Sequence, residues 1–235
     1  MVYEHGGDVY RNKVRLDFSV NTNPLGMSEN VKKAIAENIE QFGIYPDAMC
    51  VNLRNAIAEK ERVGVDNVLC SNGAAEMIFA VVRAVMPKKT LLLAPTFSEY
   101  ERTLKSVGSQ ICYYYLKEEN DFELQDDFID YLDDIDMVFI CNPNNPVGKV
   151  ADKKTAQHIA EVCGERKIVC VFDECFMDLA DGYSMKEKVP VIKAFTKTYA
   201  MAGLRLGYMI ADTDFVCDVQ RQLPMWNVSA AAQIG

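Results

Sequence analysis

Lys197 stands where an amine can be chemically active. An apolar run, 189–195, broken only by Lys193, leads into it, and small residues with one arginine, Arg205, follow. A lysine just past the end of a buried strand is partly desolvated, so its proton is held less tightly and its nitrogen can attack a carbonyl to form a Schiff base. Taken alone, the same residue reads as a solvated loop lysine, and its companions decide between the two. Asp173 closes a second apolar run, Ile168-Val169-Cys170-Val171-Phe172. A carboxylate there costs solvation unless a cation or several donors face it. Ser71-Asn72-Gly73-Ala74-Ala75-Glu76 opens a helix with small residues, an arrangement that offers backbone amides to an anion, although a plain cap and tight turn would use the same letters. Pro95-Thr96-Phe97 brings an aromatic ring to a strand end, as a stacking surface or as an ordinary core residue. Cys141-Asn142-Pro143-Asn144-Asn145-Pro146-Val147-Gly148 concentrates turn formers in one loop.

These residues need a scaffold that brings strand ends together. Strand-length apolar runs at 67–70, 90–94, 110–115, 137–141, 168–172, 189–195 and 207–210 alternate with helix-period stretches, of which 76–85 and 152–163 are the clearest. Such alternation predicts an α/β fold, a largely parallel sheet covered by helices on both faces. Ligands of such sheets bind beyond the carboxyl ends of the strands, where almost every residue named above falls. The chain has no G-x-G-x-x-G string, so a nicotinamide site gets little support.

Thr196-Lys197 with Gly203-Leu204-Arg205-Leu206-Gly207, together with the N-P-N-N-P-x-G string at 142–148, resembles the cofactor segments of fold-type I pyridoxal-phosphate enzymes. The branch is that of the class I/II aminotransferases that includes histidinol-phosphate aminotransferase and threonine-phosphate decarboxylase. The resemblance implies a mostly parallel seven-stranded sheet covered by helices, with pyridoxal 5'-phosphate as cofactor. It implies that Lys197 binds the cofactor covalently and that Thr196 and Arg205 hold its phosphate, the guanidinium through paired charge-assisted bonds. Gly73, Ala74 and Ala75 would cradle the same phosphate, Phe97 would stack on the pyridine ring, and Asn145 would donate to the phenolic oxygen. Asp173 would face the protonated ring nitrogen and keep the ring an electron sink, which makes Lys197 and Asp173 the expected catalytic pair. Phe176 departs from the tyrosine that many aminotransferases of this branch carry, leaving Asn145 as the main donor to that oxygen.

The string from Pro95 to Arg102 and the opening, His5-Gly6-Gly7-Asp8 with Leu16 to Gly26, look closer to threonine-phosphate decarboxylases. By that likeness His5 and Asn23 help bind a small phosphorylated amino acid. Tyr45, in Tyr45-Pro46-Asp47, matches a tyrosine that reaches the neighbouring subunit's cofactor, which implies a homodimer with shared sites. The expected organisation is an N-terminal arm and small-domain contribution over 1–45 and a pyridoxal-phosphate-binding large domain over 46–235. Members of the branch continue into a C-terminal domain with the arginine for the substrate's α-carboxylate. The chain to Gly235 is therefore expected to be C-terminally truncated, with turnover in doubt. Decarboxylation of O-phosphothreonine or a similar substrate is the first reading. Transamination of histidinol phosphate or a related phosphorylated amine is the second, and a non-catalytic cofactor-binding remnant is the third.

Composition is compatible with this. The chain has 235 residues, 49% of them hydrophobic, and a net charge of −9, which argues against nucleic-acid and anionic-membrane surfaces. Phosphate recognition must then come from a few placed donors. No stretch has the length of a membrane span, and Met1-Val2-Tyr3-Glu4-His5 lacks the basic start and apolar run of a signal peptide, so the expected location is cytoplasmic. The eight cysteines include no C-x-x-C pair and share the chain with only two histidines, which favours small buried thiols over a metal site.

Overall fold

Among the described residues seven strands form one sheet: β1 (Val68–Ser71), β2 (Lys89–Ala94), β3 (Gln110–Tyr115), β4 (Met137–Cys141), β5 (Val169–Asp173), β6 (Val191–Ala194) and β7 (Gly207–Ile210). The computed structural model describes residues 6–235, so His5 lies outside the described residues. Each expected run forms a strand, and those at 110–115, 137–141 and 207–210 agree residue for residue. The spatial order is β1-β7-β6-β5-β4-β2-β3. Strands β2 to β6 pair in parallel, whereas β7 is antiparallel to both of its neighbours, β6 and β1.

Among the described residues there are seven α-helices: α1 (Glu29–Glu37), α2 (Val51–Glu61), α3 (Gly73–Val85), α4 (Ser98–Ser106), α5 (Lys153–Glu165), α6 (Thr213–Gln220) and α7 (Ala230–Ile234). The two predicted helices are α3 and α5, the latter capped by the Asp152 carboxylate, which accepts from the Lys154 and Thr155 amides. Strand side chains alternate between two cores. Leu91, Leu93, Val138, Ile140, Cys170 and Phe172 face α2 and α5, while Leu92, Met137, Phe139 and Val171 face α3, α4 and α6. Strands β1 and β4 are buried along their whole length, as expected of strands covered on both sides.

The antiparallel return of β7 fixes the place of the lysine loop. Because β7 pairs with β6 through Ala194 and Gly207, the connection between them leaves and re-enters the sheet at the same edge. That connection carries both Lys197 and Arg205. Gly207 also pairs with Ser71 of β1, and a Cβ built on it would lie 2.6 Å from the Ala74 nitrogen. Only a glycine there lets the start of α3 lie against the start of β7.

The cysteines are all free. Cys50, Cys70, Cys141, Cys163 and Cys170 are buried, Cys112 and Cys175 partly so, and Cys217 is exposed, an exception to the buried-thiol expectation. Among the described residues no helix is long and apolar enough to cross a membrane.

Candidate active site

At the carboxyl edge of the sheet lies a cleft of about 180 Å³. Its lining includes Ala74, Ala75, Phe97, Asn145, Asp173, Thr196, Lys197 and Arg205, residues drawn from the ends of five different strands and their loops. Gly73 backs one end of the cleft. Its φ of +80° suits glycine, and a Cβ there would stand 2.5 Å from Arg205 Nη2. The guanidinium therefore occupies space that any side chain at 73 would fill. Asn72 makes no side-chain capping bond, so the first amides of α3 are open beside Arg205.

The opposite end is acidic. Asp173 is 4% exposed and accepts from the Tyr100 hydroxyl at 2.7 Å and from the Cys175 backbone N–H at 3.0 Å. Between the two ends sits the Lys197 amine, 5.6 Å from the centre of the Phe176 ring. Burial lowers the affinity of this amine for its proton, the Cys175 thiol opposes that, and the positive Arg205 adds to it, so the net shift is below the ordinary lysine value. Cys141 and Cys175 also line the cleft. Burial, then the Asp173 charge, pushes the Cys141 thiol up to about 12 and the Cys175 thiol well above its usual value, leaving both protonated and unreactive at neutral pH.

The loop after β4 is built by its asparagines. The Asn142 amide donates to the Asp173 carbonyl at 2.8 Å, its side-chain oxygen accepts from Ala151 at 2.9 Å, and Asn144 Nδ2 donates to the Pro95 carbonyl at 3.2 Å. These bonds tie three strand ends together and leave Asn145 on the cleft.

Two predicted residues lie apart from the lining. Asn23 packs against the lysine loop, its backbone N–H donating to the Lys197 carbonyl and its Nδ2 to the Thr198 carbonyl, each at 2.9 Å. Tyr45 is exposed, its ring 4.8 Å from that of Trp226, and it does not line the cleft. The sequence reading missed Cys141, Cys175 and Ala194 as lining residues and Tyr100 as the partner of Asp173. For Tyr100 the sequence offered no signal, since its partner lies 73 positions away.

An open amide turn with a guanidinium at one end, a buried carboxylate at the other, and a desolvated amine between flanking phenylalanines complements a flat cationic ring that carries a phosphate. The chain matches the family of aminotransferases of class I and II over residues 13–234 and belongs to it. The cofactor of that family is pyridoxal 5'-phosphate, which the residues present fit. Among its relatives is the threonine-phosphate decarboxylase of Salmonella typhimurium, 36% identical over 93% of this chain and 63% of the relative. Another is the histidinol-phosphate aminotransferase of Bacillus subtilis, 29% identical over 91% of this chain and 62% of the relative. Among solved structures, the histidinol-phosphate aminotransferase of Clostridium acetobutylicum superposes with a TM-score of 0.85 at 30% identity, covering 93% of this chain and 67% of that one. The chain thus spans 63% of the length of its decarboxylase relative.

Proposed function

We propose that this chain carries the cofactor-binding part of an enzyme that breaks a bond at the α-carbon of a small phosphorylated amino acid, most like an L-threonine-O-3-phosphate decarboxylase. The observation that carries the reading is the gathering of Lys197, Asp173 and Arg205, distant in sequence, around one cleft. Arg205, Thr196 and the amides of Ala74 and Ala75, with Gly73 making room, hold the phosphate. Asp173 faces the ring nitrogen, Phe97 packs on the ring, and Asn145 donates to its oxygen substituent. When bound, pyridoxal phosphate supplies an electron sink for the bond that breaks. Lys197 would hold the cofactor and would move a proton at the substrate's α-carbon. His5 and Asn23 belong to the substrate side, and Tyr45 serves the neighbouring subunit's site in a cytoplasmic homodimer. Residues 46–235 form the cofactor-binding domain, preceded by an arm over 1–45.

The 36% identity to a threonine-phosphate decarboxylase and the phenylalanine at 176 support decarboxylation over transamination. The likeness to the clostridial aminotransferase structure supports the second reading, amino transfer from a phosphorylated amine.

The test begins with the purified chain and pyridoxal phosphate, an absorption spectrum before and after borohydride, and mass mapping of the labelled peptide. A visible band trapped on Lys197, and absent in Lys197→Ala, is expected. An adduct that persists in that variant sinks the lysine assignment. Incubation with O-phosphothreonine should then release carbon dioxide, whereas amino transfer to a keto acid would favour the second reading. Bound cofactor with neither product would mark a binding remnant.

A further inference from the structure

Both oxygens of Asp173 are engaged from behind the cleft. Oδ1 accepts from the Cys175 backbone and Oδ2 from the Tyr100 hydroxyl at 2.7 Å. Tyr100 itself does not line the cleft and is completely buried. Its ring is stacked on Phe139 with centroids 5.0 Å apart and planes 5° apart, and it meets Phe97 edge-to-face at 5.6 Å and 83°. One side chain therefore touches both the acid at the cleft's end and the aromatic ring on its wall.

We infer that Tyr100 is a positioning residue for the cofactor site, its hydroxyl fixing the plane of the Asp173 carboxylate and its ring fixing the set of Phe97. The inference rests on reading the cleft as the pyridoxal-phosphate site. A carboxylate held at both oxygens cannot rotate, yet each oxygen keeps a further lone-pair direction for a donor arriving in the cleft. Burial first, and then the Asp173 charge, pushes the phenol well above its usual range, so Tyr100 stays a donor and never competes as an anion. The other titratable groups around Asp173 are the Cys141 and Cys175 thiols, held neutral by burial and by the Asp173 charge, and the Lys197 amine across the cleft. Tyr100 is thus the hydroxyl donor to this carboxylate, alongside the Cys175 thiol, which also hydrogen-bonds to it. Preorganised donors and acceptors of this kind matter because they need no rearrangement when the ligand arrives.

The experiment is a double-mutant cycle on pyridoxal-phosphate affinity, using Tyr100→Phe, which keeps the ring and removes only the hydroxyl, with Asp173→Ala. Tyr100→Phe should weaken binding by about 10-fold in the wild-type background, a size typical of a hydrogen bond to a charged group. In the Asp173→Ala background it should change affinity by less than about 2-fold, because the hydroxyl then has no partner to orient. The visible band of the bound cofactor should also titrate at a different pH in Tyr100→Phe, a change that loss of packing alone would not cause. Equal weakening in both backgrounds, or unchanged affinity and an unchanged titration in Tyr100→Phe, overturns the role while leaving the site reading intact. A wild-type chain that forms no borohydride-stable adduct on Lys197 overturns both. Cooperative thermal unfolding of each variant without cofactor verifies that the comparison is made on folded protein.

Discussion

Lys197 loses its proton more readily than an ordinary lysine because burial strips water from its amine and the positive Arg205 adds to that effect. Only the neutral amine attacks a carbonyl, so the rate at which the chain captures pyridoxal phosphate should rise with pH and level off below the ordinary lysine value of 10.5. Stopped-flow absorbance across that range measures it. A rate still climbing past pH 10.5 would show that the amine is solvated. At this scale most of the site was legible in advance. Lys197, Arg205 and Asn145 sit in short strings that were read ahead as candidates, and all three line the cleft. Tyr100 was not, because its role depends on Asp173, 73 positions away, and no local pattern announces a pairing of that span. Asn23 was named for the substrate, but its contacts with the Lys197 and Thr198 carbonyls depend on a loop far along the chain.

Elements matter where they clamp the lysine loop. Lys193 is buried on β6 and pairs with Glu61 at the end of α2 at 2.9 Å and with Asp178, just beyond Phe176, at 3.0 Å. Tyr208 on β7 donates to the same Glu61 oxygen at 2.7 Å. Burial pushes the Glu61 carboxyl up, but bonds from Tyr208 and Lys193 outweigh it and leave it at about 2. Its folded value is thus depressed, so the stability it contributes is complete above its ordinary 4.5 and is lost as pH falls through about 2. That contribution is about 3 kcal/mol. Lys193→Met should cost a similar ~3 kcal/mol at neutral pH by stripping a buried acid of its main cation, and it should flatten the acid limb. Urea melts at pH 7 and pH 3 test both effects, and an acid limb as steep in the variant as in wild type would contradict the account. The strands were readable from apolar runs, whereas α1, α2, α4, α6 and α7 were not. Helix α4, Ser-Glu-Tyr-Glu-Arg-Thr-Leu-Lys-Ser, is mostly polar and is placed by the burial of Tyr100, Thr103 and Leu104 rather than by a broad apolar stripe. The reversed direction of β7 also had no signal in the sequence, since its residues would serve a parallel strand equally well.

At the scale of the whole molecule, one group of apolar residues left in water includes a pair of rings in contact. Ile39, Ile44, Tyr45, Met49, Met225 and Trp226 are all exposed, and the Tyr45 and Trp226 rings are in contact. A surface of this kind is a candidate for burial against a second copy, in keeping with the proposed homodimer. Trp226 is the only tryptophan in the chain, so its emission reports on that region alone. Diluting the protein should shift the emission to the red as the face returns to water, at the concentration where sedimentation shows the dimer parting. Emission constant through that dissociation would place the interface elsewhere.

The pairing of β1 with β7 has a kinetic consequence. β1 is made early, yet the strand it pairs with arrives more than a hundred residues later, with Gly207. While the chain is being synthesised, strands β2 to β5 can assemble among themselves, but β1 must wait as an unpaired edge. The turn at Gly73 meets Arg205 only once that wait ends. The first strand written is among the last to be joined, and the turn proposed to hold a phosphate is completed at the close of folding.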